Sequence, residues 1–135
     1  MKKTRLLLSG LILIIAGVFV AKSTMNLGHW NGYRLTGYTL DNKRYKFAVA
    51  ENEKQYVQGL MFVKKPLPID GMLFVFPDKK YRTFWNRNTH LPLILYWLLD
   101  DKVVGKNYLP AIDESKIVFT IESPAPVNKV VEFIK

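Results

Sequence analysis

At 135 residues the chain has room for one small domain and little else. Apolar residues make up 49% and charged residues 23%, an ordinary globular balance, and the absence of cysteine excludes disulfides and thiolate metal sites. The net charge is +9; setting aside Lys2, Lys3, Arg5 and Lys22 leaves 16 basic against 11 acidic residues, or +5, scattered rather than gathered in the dense stripe of a nucleic-acid footprint.

The chain opens with "MKKTRLLLSGLILIIAGVFVAKS". Lys2, Lys3 and Arg5 precede an uncharged run, Leu6 to Ala21, in the pattern of an export signal. Two outcomes compete. Cleavage after Ser23 would place Ala21 and Ser23 at the small-residue positions. An uncleaved signal-anchor is favoured, because the stems of Arg5 and Lys22 extend a run that is short against the roughly 20 residues of a bilayer span. Charge before the run keeps the N-terminus cytoplasmic. The expected location is therefore the cell membrane, with the domain extracytoplasmic; the alternative is a secreted or periplasmic product.

Residues 24–32 read as a linker, and residues 33–135 as a β domain. "YRLTGYTL" and "KRYKFAVA" are two β runs joined at Asp41-Asn42, a turn dipeptide. "ENEKQYVQGLM" breaks the alternation: Asn52 and Gln55 have capping-box spacing, Tyr56, Val57 and Leu60 share a helical face, and Gly59 suits a C-terminus. Pro66 and Pro68 disfavour helix. Asp70-Gly71 is a turn signal before the apolar strand Met72 to Phe76, which Pro77 and Asp78 are expected to end. "KYRTFW" is a further strand. Leu93 to Leu99 is apolar on both faces, as a covered central strand is, and returns through Asp100-Asp101, with Gly105 as a candidate bulge. "KIVFTIE" and "NKVVEFI" supply the last strands. The expectation is an all-β domain of about seven or eight strands and one short helix, mainly an antiparallel sandwich or open barrel, jelly-roll-like. It is preceded by an N-terminal hydrophobic helix.

The order "GLMF", "LPIDGMLFVF", "FWNRNTHLPL", a hydrophobic hairpin and a closing "VVEF" resembles the domain of unknown function 192 (DUF192) over roughly Arg34 to Lys135. That resemblance implies a small all-β fold, often exported, with no agreed activity. The family usually carries a Glu-Arg pair before its GLM, a Met after its Trp and an Asp in its P-L-D strand. Gln55, Tyr56, Asn86 and Ile94 stand at those places. If the family has an acid-dependent site, the chain lacks its most obvious carboxylate.

No catalytic constellation stands out. A serine-type site needs a nucleophile beside a held base, and Thr89–His90 are only neighbours in sequence. Asp70, Asp78 and Asp113–Glu114 read as turn and loop chemistry. Met61 and Met72 with His90 would suit Cu(I), but both methionines sit in apolar blocks and read as core. No cofactor, metal or nucleic acid is expected. The candidate ligand-binding residues are Trp85, Arg87, Asn88, Thr89 and His90. They combine an aromatic platform, a forked cation, an amide, a hydroxyl and an imidazole, enough for a small molecule, glycan or peptide. Against this, Trp85 could be core and Asn88 and Thr89 turn residues. The readings are a binding module, an envelope-associated hydrolase with a carboxylate/His site, and a purely structural domain.

Overall fold

The computed structural model describes Trp30, residues 32–64 and residues 68–135. The expected export segment, residues 1–23, and Pro66 lie outside the described residues. Among those described, no helix is long and apolar enough to cross a membrane. Trp30, in the expected linker, is buried in the core and meets the Tyr33 ring edge-on at 5.3 Å.

The first hairpin forms as its sequence directs. β1 (Arg34–Leu40) pairs antiparallel with β2 (Lys43–Ala50). Asp41 and Asn42 both take positive φ, 48° and 64°, as a two-residue turn matched to strand twist requires. In α1 (Glu53–Gln58) the Gln55 N–H donates to Asn52 Oδ1 at 3.0 Å, and Gln55 Oε1 accepts from the Glu51 N–H at 2.9 Å. The box thus closes one residue upstream of its usual place. Val57 departs from the expected inward face: it is 58% exposed, because the helix meets the domain only along Tyr56 and the Gly59–Leu60 turn.

β3 (Gly71–Lys80) does not end at Pro77 as expected. It continues to Lys80 through a register shift between Val75 and Lys80, since a bulge tolerates a residue with no ladder donor. β4 (Thr83–Trp85) is short. β5 (Leu93–Leu99) and β6 (Lys102–Leu109) form the second hairpin, with Asp100 and Asp101 at φ 47° and 65° and the bulge opposite Trp97–Leu98, next to Gly105. A second helical turn, α2 (Ile112–Ser115), escaped the sequence reading. Lys116 ends it at φ 64°, so "KIVFTIE" yields strand only at β7 (Thr120–Glu122). Ile117, Val118 and Phe119, expected in that strand, form an exposed loop. β8 (Val127–Ile134) closes the fold.

The strands form a six-stranded sheet, β1-β2-β3-β8-β5-β6, and a two-stranded sheet, β4-β7. Every pair is antiparallel except β2·β3, made parallel by the crossover through α1. β5 lies between β6 and β8, the central position its two apolar faces imply. Alternation divides the apolar residues into two cores. One contains Met72, Phe74, Leu95, Trp97 and Val130, and the small sheet covers it by Phe84, whose ring lies 4.9 Å from Phe74 and 5.5 Å from Trp97. The other contains Leu40, Phe47, Leu73, Leu98 and Val131. Around it the outer hairpins meet: the Tyr38 hydroxyl donates to Asp101 at 2.5 Å, and Lys106 reaches Asp41 at 2.7 Å.

Candidate functional site

The stretch after β4 is built around an amide the sequence reading set aside. Asn86 is fully buried. Its Nδ2 donates to Pro110 O at 2.9 Å and Ser115 Oγ at 2.7 Å, and its Oδ1 accepts from the Phe119 N–H at 2.7 Å. One side chain therefore fixes both ends of the α2 loop. Asn86→Ala strands a buried carbonyl and N–H, and should cost about 2–4 kcal/mol. Urea denaturation measures this; a loss near zero would mean water replaces the amide without penalty.

Around Asn86 the predicted block divides. Trp85 ends β4 opposite Thr120 and is 42% exposed. The Arg87 guanidinium carbon lies 5.8 Å from the Trp85 ring centroid. Asn88 is left-handed at φ 51°, and its carbonyl accepts from the Phe62 N–H at 2.7 Å. Thr89 is buried; its hydroxyl donates to Arg87 O at 3.1 Å and its carbonyl accepts from the Ile112 N–H at 2.8 Å. His90 turns toward α2, with Nδ1 2.7 Å from Asp113 Oδ2. That contact holds the Asp113 carboxyl below its ordinary range. Trp85 and Thr89 line a cavity, whereas Arg87, Asn88 and His90 do not.

That cavity has a volume of about 310 Å³ and lies between the Tyr56–Met61 segment, β3 and β4. Phe74, Phe76, Phe84 and Trp85 supply aromatic wall, and Glu132 of β8 is also exposed to it. Glu132 pairs directly with Met72 on β3 and Leu95 on β5, both fully buried. Loss of water around its carboxyl dominates, raising the pKa from 4.5 to about 8; a hydrogen bond from the Leu60 N–H opposes the rise. At neutral pH the group is therefore mainly a carboxylic acid. Its Oε2 has no hydrogen-bond partner among the described residues. A Cβ on Gly59 would stand 3.4 Å from that oxygen and 3.5 Å from Phe74, so the Gly59 turn packs directly against the carboxyl. Arg82 adds a second polar feature. Its Nη2 holds Asp78 Oδ1 at 2.6 Å, its guanidinium carbon lies 4.0 Å from the Phe76 ring centroid, and its buried Nε–H is unpartnered among the described residues.

The DUF192 family profile, described as "Uncharacterized ACR", matches residues 37–135, and every cavity residue falls within that span. The chain belongs to the DUF192 family. It is similar to a solved protein from Sinorhizobium meliloti 1021, provisionally described as a transcription regulator. Identity is 29% and the TM-score 0.57, over 76% of this chain and 79% of the other. A protein of unknown function from Novosphingobium aromaticivorans DSM 12444 shares the fold, at 24% identity and a TM-score of 0.60, over 76% and 73% of the two chains. Among curated proteins there is no match.

Within DUF192, the departures seen in the sequence now have positions. Tyr56, at the usual basic place, lines the cavity, and its hydroxyl donates to Val75 O at 2.5 Å. Ile94 alternates with the buried Leu93 and Leu95 and so faces the other core. An acid there would lie on the face opposite Glu132, so its loss takes no carboxylate from the cavity. The residue the sequence reading missed is Glu132 itself. Its signal was present: an acid inside the apolar run "VVEF", at the alternation of Val130 and Ile134, which point into a core.

Proposed function

We propose that this DUF192 domain is an extracytoplasmic binding module that takes a small ligand in the cavity beside Trp85. The observation that carries the reading is a buried carboxyl oxygen, without a partner among the described residues, on a residue that lines an aromatic cavity of about 310 Å³. Buried polar groups are normally satisfied, and binding sites combine apolar walls with few fixed polar groups. We further read the two sheets as an open barrel with a sandwich-like flap, and residues 1–23 as an uncleaved membrane anchor. The basic-then-apolar order of that segment supports the second point. A mature N-terminus at Thr24 by mass spectrometry would overturn it.

Trp85 is the accessible handle. Trp85→Ala should weaken ligand binding about tenfold, the loss of one stacking partner, while leaving the melting temperature within about 2 °C because the ring is half-exposed. Titration of the full chain against a panel of aromatic and aliphatic small molecules, followed by calorimetry, checks this. Equal affinity in the variant would move the site away from β4.

A hydrolase is the second reading, and the His90–Asp113 contact at 2.7 Å favours it. His90→Ala abolishing turnover of a cell-wall ester or amide would establish it.

A further inference from the structure

Two residues that line the cavity, Glu132 and Arg82, each carry a buried polar atom, Oε2 and Nε, with no hydrogen-bond partner among the described residues. We propose that the cavity binds an apolar or aromatic carboxylate, its head group accepting hydrogen bonds from a protonated Glu132 and from Arg82. The ligand class rests on the binding reading above.

The chemistry runs through donors. A guanidinium Nε–H can only donate. A neutral carboxyl offers one O–H, and here the Leu60 N–H already serves its acceptor side. Both free valences therefore ask for an acceptor, and a carboxylate answers both with charge-assisted bonds. An amine would meet the fixed Arg82 charge instead. Size is consistent: an apolar cavity of about 150 Å³ is enough for benzene, so about 310 Å³ holds a ring, a short chain and a head group.

The same arrangement makes the site proton-dependent. When Glu132 ionises, a donor becomes a negative charge facing an anion. The groups around it leave little else to titrate. β3 and β5 present Met72 and Leu95. The segment after α1 presents the Leu60 N–H, with Tyr56 on the helix. The β3–β4 side presents Tyr81 and Arg82, whose charge persists throughout. Glu132 burial raises its pKa to about 8, so affinity should fall across that region.

The test uses three probes with one body: 4-phenylbutyrate, 4-phenylbutanol and 4-phenylbutylamine, titrated calorimetrically into the full chain in nonionic detergent at pH 6 and pH 9. The carboxylate should bind at least tenfold tighter than the alcohol at pH 6, and lose about tenfold or more by pH 9. The probe's own carboxyl is ionised at both. Glu132→Gln keeps a donor, so binding should persist with the pH dependence gone. Arg82→Gln should weaken the carboxylate and not the alcohol. Tightest binding by the amine or alcohol would overturn the ligand class while leaving a binding cavity in place. No binding by any probe, in a protein whose melting is cooperative, would overturn both. Carboxylate binding unchanged by pH or in Glu132→Gln would overturn the role given to Glu132.

Discussion

Raising the pH from about 5 to 9 should destabilise this domain, and Glu132→Gln should remove most of that loss. The sign follows from proton counts. Unfolded, the Glu132 carboxyl titrates near 4.5; folded, near 8. Between those values the folded state holds one more proton than the unfolded state. Stability therefore falls as pH rises, approaching a slope of about 1.4 kcal/mol per unit. The contribution is full below about 4.5 and is gone above about 8. Several aspartates act in the other direction. Asp78, Asp100 and Asp101 are held low by hydrogen bonds from Lys80, Lys79 and Lys129 respectively, and they favour the folded state once ionised. Their titration lies in acid, below the Glu132 window, so the two effects separate along the pH axis. Glu132→Gln keeps the size and a donor but cannot ionise. Its denaturation midpoint should stay nearly level from pH 5 to 9 while that of the native chain falls. Parallel curves for the two proteins would show that Glu132 ionises at its ordinary value, with water reaching it.

The second large effect is expected at Gly71. Its φ is 154°, in a region almost reserved for glycine. A Cβ placed there would stand 1.9 Å from the backbone oxygen of Glu132 and 3.1 Å from the Cα of Phe133. The obstacle is main chain of the neighbouring strand, so no rotamer change relieves it. Gly71 opens β3, where it faces both Phe47 on β2 and Phe133 on β8. Gly71→Ala must push β3 and β8 apart where they pair, and should cost on the order of 4 kcal/mol or more. Thermal melting followed by circular dichroism would measure this. A shift of only a few degrees would mean that the strand ends part without disturbing the sheet.

Local chemistry was legible where it is local. Asp41-Asn42 and Asp100-Asp101 announced two tight hairpins, Asn52 and Gln55 a helix start, and the doubly apolar Leu93–Leu99 a central strand. The pairing order was not, because β8 pairs with β3 and β5, both separated from it in the chain by other strands, and no short pattern encodes such a choice. α2 was missed because a single turn gives no periodicity. Pro77 misled because a strand can pass a proline at a bulge. Of the residues singled out by type, Trp85 and Thr89 line the cavity and Arg87, Asn88 and His90 do not. Glu132 was overlooked because an acid among Val130, Val131 and Phe133 means little until the sheet shows which face it shares. Asn86 was counted as a missing methionine; only the fold reveals the three bonds its amide makes.

The position of β8 has a consequence for how the molecule comes into being. β8 is made after every other strand, yet it occupies the middle of the sheet. Until it arrives, β1-β2-β3 and β5-β6 are two separate ribbons with no strand-to-strand ladder between them. Non-local pairings of this kind form slowly. The six-stranded sheet therefore cannot close until nearly all of the chain has been synthesised. The strand that completes the sheet also delivers Glu132, so the acid enters its apolar surroundings in the same step that joins the two halves.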